Sequence, residues 1–229
     1  MPYEQASSAV ADMICDIVMK KPDALIAVPA GRTPDALFSE LAARCGEGTV
    51  SFSKARFVLL TEFEGIPPDD ERSCTFSLMD RLIEKTDAEP DNCIFPSGEN
   101  IDSLDAMIES LGGLDLAVLG LGRAGQIAYN EPATPFTAPS HRQKLSPGTC
   151  RSLIELYGGE LNVPAYAYTV GIKTIVSARA IAVMAFGEEK AEAVFKMLYA
   201  RDDSLVPAAF LQIPPAVTVF TDEAAASKL

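Results

Sequence analysis

A chain of 229 residues can bury roughly 70% of the surface its unfolded form exposes, so one domain with a sizeable core is the economical reading. Hydrophobic residues make up 48% and charged residues 22%, and no apolar stretch approaches the ~20 residues that cross a bilayer, which excludes a membrane-spanning helix. The formal charge of −13 excludes nucleic acid and anionic membrane as partners, because the long-range field repels phosphate backbones; an anionic ligand must be won locally by a few placed cations and amides.

In chain order, "MPYEQASSAVADMICDIVMKK" shows helical periodicity over 3–20. Its acids stand where a secretory signal would place basic residues, so a cytoplasmic location is expected. Strands then alternate with helices: strand 24–30 ("ALIAVPA"), helix 33–45, strand 55–62 ("ARFVLLTE"), helix 74–86, strand 92–97 ("NCIFPS"), helix 102–111 and strand 114–122 ("LDLAVLGLG"). Continuous apolar runs of this kind mark strands buried on both faces, which predicts an α/β fold with a doubly wound, mostly parallel sheet flanked by helices. Segment 123–168 interrupts the alternation with Pro, Gly, Ser and Thr and weak periodicity, and is expected to be a lid or binding loop. Strand 179–187, helices 188–200 and 204–212, and strand 216–222 complete the chain, without internal repeats.

Cys15, Cys45, Cys74, Cys93 and Cys150 are scattered and never form a C-x-x-C pair, so they read as small apolar residues rather than a disulfide framework or zinc site. The single histidine, His141 in "TAPSHRQK", reads as a solvated loop residue, although any histidine-based relay would have to use it. Three stretches could hold an anion. In "VPAGRTPDALFSEL", Gly31 allows a tight turn, Thr33 is a good N-cap and Pro34 suits the first helical position, so free amides and Arg32 would face a ligand; an ordinary capped helix explains the pattern equally well. In "AFGEEKAEAVF", Lys190 stands at the wrong end of a helix dipole, costing ~0.3–1 kcal/mol unless an anion compensates; pairing with a neighbouring glutamate is the alternative. "HRQKLSPGTCRS" clusters Arg142, Lys144 and Arg151 in an acidic chain. Together they suggest a phosphorylated small molecule.

The segments "LIAVPAGRTP", "VLLTEFEGIPPDDERSCTF", "GGLDLAVLGLGRAGQIAYNEP", "AYTVGIKTI" and "GEEKAEA" resemble, in order and spacing, the glucosamine-6-phosphate and galactosamine-6-phosphate deaminase/isomerase family over nearly the whole chain. Related 6-phosphogluconolactonases share that fold but match less well after the glycine loop, and effector domains of some sugar-responsive regulators share it too. The resemblance implies that Gly31, Arg32 and Thr33 lie in a phosphate loop, that Lys190 and Arg151 are phosphate cations, and that Glu131 supports a ring-opening histidine. The departures fall on proton chemistry. The family's Asp-Glu-Tyr, whose aspartate is the base that shuttles the substrate's C2 proton, is Thr61, Glu62 and Phe63 here, and its Asp-Gly-His, whose histidine helps open the sugar ring, is Ala124, Gly125 and Gln126. Candidate catalytic residues are therefore Glu131, Gln126, Glu62 and Glu64. Alternation along a strand turns Glu62 away from the lost base, and Glu64, two residues on, has a spacing that could reach the ligand's side. Two functions are open: an isomerase/deaminase of a hexosamine 6-phosphate with an altered proton relay, or a degenerate relative that senses or sequesters a sugar phosphate. No metal and no cofactor is expected, the partner is a phosphorylated sugar, and a homo-oligomer is compatible with the chain.

Overall fold

The computed structural model describes residues 1–31, 33–200, 205–214 and 216–229. All six predicted strands form, as β1 (Leu25–Val28), β2 (Arg56–Leu59), β4 (Cys93–Ile94), β5 (Leu116–Gly120), β8 (Ile181–Ala185) and β9 (Val217–Thr221). They pair side by side in the order β4-β2-β1-β5-β8-β9, and every pairing is parallel. Helices α1 (Tyr3–Lys20), α2 (Asp35–Gly46), α3 (Cys74–Arg81), α4 (Leu104–Ser110), α5 (Pro147–Tyr157), α6 (Ile172–Val176) and α7 (Ala191–Tyr199) connect and cover them.

The alternation of side chains along each strand explains why these runs are apolar throughout. Ile26 and Val28 of β1 join a core with Val10, Ile14, Phe38 and Leu41 of α1 and α2. Leu25 and Ala27 join a second core with Leu104, Ile108, Ile175 and Val194 of α4, α6 and α7. Each fully buried Val, Leu or Ile contributes about 1.5–3 kcal/mol, so two such layers favour a strand that is polar on neither face. The predicted doubly wound parallel sheet is the observed one.

Three departures from the sequence expectations bear on the site. The run "ARFVLLTE" is split: β2 belongs to the parallel sheet, whereas β3 (Thr61–Phe63) joins an antiparallel sheet in the order β3-β7-β6 with β7 (Tyr166–Thr169) and β6 (His141–Lys144). Leu60 is the hinge, its N–H donating to Val28 O at 3.0 Å and its carbonyl accepting from Val170 N at 2.9 Å. Segment 123–168 is not irregular throughout, for it contains β6, α5 and most of β7. Its β6 carries polar side chains on both faces, which erases the period-two signal, whereas α5 is announced by the Ser146 cap, which accepts from Thr149 N at 3.2 Å, and by Pro147 in the first turn. Helix 74–86 ends at Arg81 and continues only as a 3-10 turn over Ile83–Lys85; the described part of helix 204–212 is a 3-10 helix over Pro207–Gln212.

Candidate functional site

The chain winds from β1 through β2 to β4 on one side, and from β5 through β8 to β9 on the other, so the sheet's topological switch point lies between β1 and β5. Ligands bind outside the carboxyl ends of strands at such points. A cavity of about 600 Å³ opens there, walled by Pro29 to Gly31 after β1, Gly120 to Gly122 after β5, Thr61 and Phe63 of β3, and Ser152, Leu153 and Leu156 of α5.

At one corner, Gly31 adopts φ +86°, a turn that a side chain would strain. Thr33 does not cap α2, which begins at Asp35. The Tyr3 hydroxyl takes over that role, donating to Thr33 O at 2.9 Å and accepting from Ala36 N at 3.1 Å. Freed from capping, the Thr33 hydroxyl lies 3.5 Å from where a Cβ on Gly120 would stand, ordinary contact distance, so the loops after β1 and β5 meet here. Lys190 ends a 3-10 turn (Glu188–Lys190) after β8, and its Nζ donates to Leu121 O at 2.7 Å. Burial, and secondarily the charge of Arg123, push the Lys190 ammonium below its ordinary range. Gly31, Thr33 and Lys190 thus line one cavity, together with Arg72 and Arg81, which flank α3. Arg32 lies outside the described residues.

The other end of the cavity is polar but, among the described residues, is lined by no histidine and by no free carboxylate. Glu131, only 4% exposed, accepts from Ser146 N at 3.0 Å, Thr149 Oγ1 at 2.5 Å and Gln126 Nε2 at 3.0 Å. Gln126 Oε1 in turn accepts from Ala124 N at 3.0 Å, so the amide is fixed at the cavity wall. Ala128 and Ala133 hold positive φ of 52° and 73° on either side of Glu131, strain of order 1–3 kcal/mol each that is typical of functional loops. Thr61 faces the cavity beside Cys74, with Oγ1 to Sγ at 3.9 Å. Burial, and then the neighbouring Glu62 charge, raise the Cys74 thiol well above its usual range. Burial likewise raises the Tyr129 hydroxyl. Both stay protonated near neutrality.

Several sequence candidates lie elsewhere. Glu62 is buried on the opposite side of β3, where it accepts from Phe63 N, Cys74 N, Thr75 N, Ser73 Oγ and Thr75 Oγ1 at 2.6–3.1 Å and caps α3. Glu64 forms a two-pronged pair with Arg142, both contacts at 2.7 Å, and accepts from Tyr168 OH; the Arg142 bonds hold its carboxyl below the usual range. His141 stands on β6 rather than in a loop, with Nδ1 2.7 Å from Pro139 O and Nε2 2.9 Å from Gln143 Oε1. Arg151 is exposed on α5, off the face through Ser152, Leu153 and Leu156 that walls the cavity. Arg142 and Lys144 do not wall it either, so the basic cluster of this segment is not assembled at the site. Sequence reasoning missed Arg72, Arg81, Cys74 and Tyr129; the Ser73 cap, accepting from Phe76 N, was the available signal that a helix starts beside Arg72.

Fold and site define an α/β protein with a ligand cavity at the switch point of its sheet, and the chain belongs to the glucosamine-6-phosphate isomerase/6-phosphogluconolactonase family, which it matches over residues 3–220. The glucosamine-6-phosphate deaminase of Bacillus velezensis is 35% identical over 231 residues, covering 98% of this chain and 95% of that protein. A solved structure of a monomeric glucosamine-6-phosphate deaminase matches with a TM-score of 0.96 at 32% identity, over 100% of this chain and 98% of that one. The 6-phosphogluconolactonase of Trypanosoma brucei, at 19% identity and a TM-score of 0.78 over 100% of this chain and 96% of that one, shares the fold. The family resemblance read from the five sequence segments is therefore correct. Among the described residues no helix is long and apolar enough to cross a membrane.

Proposed function

We propose that the chain binds a hexosamine 6-phosphate in the cavity between β1 and β5, and that its isomerase/deaminase chemistry is reduced to a slow residue by a weakened proton relay. The observation that carries the binding half is the convergence of Gly31, Thr33 and Lys190 on one cavity, where turn amides and a desolvated ammonium offer a phosphoryl group charge and hydrogen bonds. The names of the relatives support an aminosugar as the rest of the ligand.

The second half rests on what faces the ligand. Thr61 and Gln126 occupy the cavity wall, and among the described residues the carboxylates that also line it are Asp35, ion-paired with Arg81, and Glu71, which is exposed. The acids nearest Thr61 are committed to a helix cap and an ion pair, and an amide does not exchange protons usefully. A positioned proton-transfer group is worth ~10²–10⁴-fold, so two absent groups bring a typical turnover of ~10 s⁻¹ to about 10⁻³ s⁻¹ or below. That rate suits a protein that senses or sequesters its ligand.

Calorimetric titration with hexosamine and hexose 6-phosphates, paired with assays for ammonia and fructose 6-phosphate, tests both halves. Heat of binding with turnover under about 10⁻³ s⁻¹ is expected. Absence of binding across the panel defeats the site assignment, and turnover near 10 s⁻¹ defeats the weakened relay.

A further inference from the structure

We infer that Arg81 is a second cation for the ligand's phosphoryl group, held in readiness by Asp35 and delivered from the side of the cavity opposite Lys190. This inference rests on reading the Gly31 corner as the phosphate site.

Arg81 closes α3, lines the cavity, and brings Nη1 to 3.4 Å from the Gly31 carbonyl, so its guanidinium stands within one residue of the turn. The same Nη1 pairs with Asp35, the first residue of α2. Nε and Nη2 have no partner among the described residues, which leaves planar donors available to a phosphate. Arg81 and Asp35 are 42% and 46% exposed, the regime in which an ion pair contributes little and is readily exchanged.

Two other arginines, Arg72 and Arg142, are committed. Arg72 holds Asp70 through Nε at 2.8 Å and Nη2 at 2.5 Å, lowers that carboxyl to about 2, and lies 5.5 Å over the Tyr157 ring. Arg142 is clamped by Glu64 and stacks 3.5 Å over Tyr166. Lys190 reaches the corner from the β8 side, tied to the β5 loop. A phosphate monoester is close to a dianion at neutral pH, and one partly desolvated ammonium neutralises half of it. Arg81 supplies the other half with geometry a lysine lacks.

The test is calorimetric binding of inorganic phosphate and of glucosamine 6-phosphate to wild type, R81Q, D35N and K190Q, with thermal midpoints measured in parallel. R81Q is expected to weaken both ligands about tenfold or more, as for a lost charge-assisted hydrogen bond. D35N frees Arg81 and removes a competing anion, so it is expected to tighten both. If Arg81 were only a strut between α3 and α2, R81Q and D35N would lower the thermal midpoint alike and shift affinity in the same direction, which overturns the inference. Undiminished binding by R81Q alongside failure of K190Q overturns it too, and leaves the phosphate reading standing. Failure of wild type to bind either ligand removes both. D35N, in which the guanidinium is intact, carries the comparison should R81Q not fold.

Discussion

At the scale of single residues, Gln126 keeps a place in the cavity wall while contributing no acid or base. Its partner Glu131 is buried and satisfied by three donors, so the E131A variant leaves the Ser146 amide and the Thr149 hydroxyl without this acceptor and the Gln126 amide with only the longer contact to Thr149 Oγ1 at 3.4 Å. A stability loss of about 1–3 kcal/mol is expected in urea unfolding, with a smaller loss for Q126A, which leaves Glu131 two donors. Restoring Thr61→Asp, Ala124→Asp and Gln126→His together places an imidazole against Glu131 and a carboxylate beside Cys74. Ammonia release from glucosamine 6-phosphate should rise by at least ~10²-fold; no gain would show that more than the relay is altered. Lys190 sets a pH limit. Desolvation favours its neutral form, so its folded pKa lies below the ordinary lysine value, and the charge needed by an anion is present at lower pH and lost as pH rises through that depressed value. Affinity for glucosamine 6-phosphate should therefore fall on the alkaline side earlier than an unperturbed lysine would allow, and K190R should move the fall upward, as calorimetry across a pH series would reveal.

At the scale of elements, the start of α3 depends on an acid from another strand. Glu62 accepts from the Cys74 and Thr75 amides and from the Ser73 and Thr75 hydroxyls, two of the orphan donors every helix start must satisfy. The E62A variant should cost about 1–3 kcal/mol in thermal or denaturant unfolding, and the loss should be accompanied by weaker ligand binding because Arg72 and Arg81 flank the same helix. Gly171 is constrained by space: a Cβ there would collide with the Pro139 and Ala138 carbonyls, backbone that cannot step aside, so G171A is expected to destabilise by about 1–3 kcal/mol in the same assay. The four central parallel strands were legible because burial on two faces demands unbroken apolar runs; the edge strands β4 and β9 are only partly buried and showed through shorter apolar stretches. β6 was not, because "HRQK" gains its place from pairing with β7 rather than from any apolar face. The Gly31 and Lys190 corners were legible as strand, glycine and helix start. Arg81 was illegible for a different reason: its role depends on where α3 lies against α2, a tertiary fact that no local pattern encodes.

At the scale of the whole molecule, an acidic chain carries a small cationic corner. The formal charge of −13 repels an anionic ligand at long range, whereas the proposed Lys190 and Arg81 site attracts it only at contact. Raising ionic strength from about 10 mM to about 150 mM shortens the screening length from about 30 Å to about 8 Å, which suppresses the long-range repulsion first. The association rate for glucosamine 6-phosphate in stopped-flow measurements should therefore rise with salt over this range, the reverse of an electrostatically steered site. The junction of the two sheets has a consequence for how this pocket could change its chemistry. In β3, Thr61 and Phe63 meet the cavity and Glu62 does not, and the pairing of these residues with Thr169, Tyr168 and Ala167 fixes that parity. Glu64, one step beyond, pairs with Arg142 outside the cavity. The molecule thus keeps two acids near its ligand along the chain and both on the opposite parity, held there because a one-residue slip of β3 would break its whole pairing with β7; a carboxylate at position 61 or 63 would face the cavity with no slip at all.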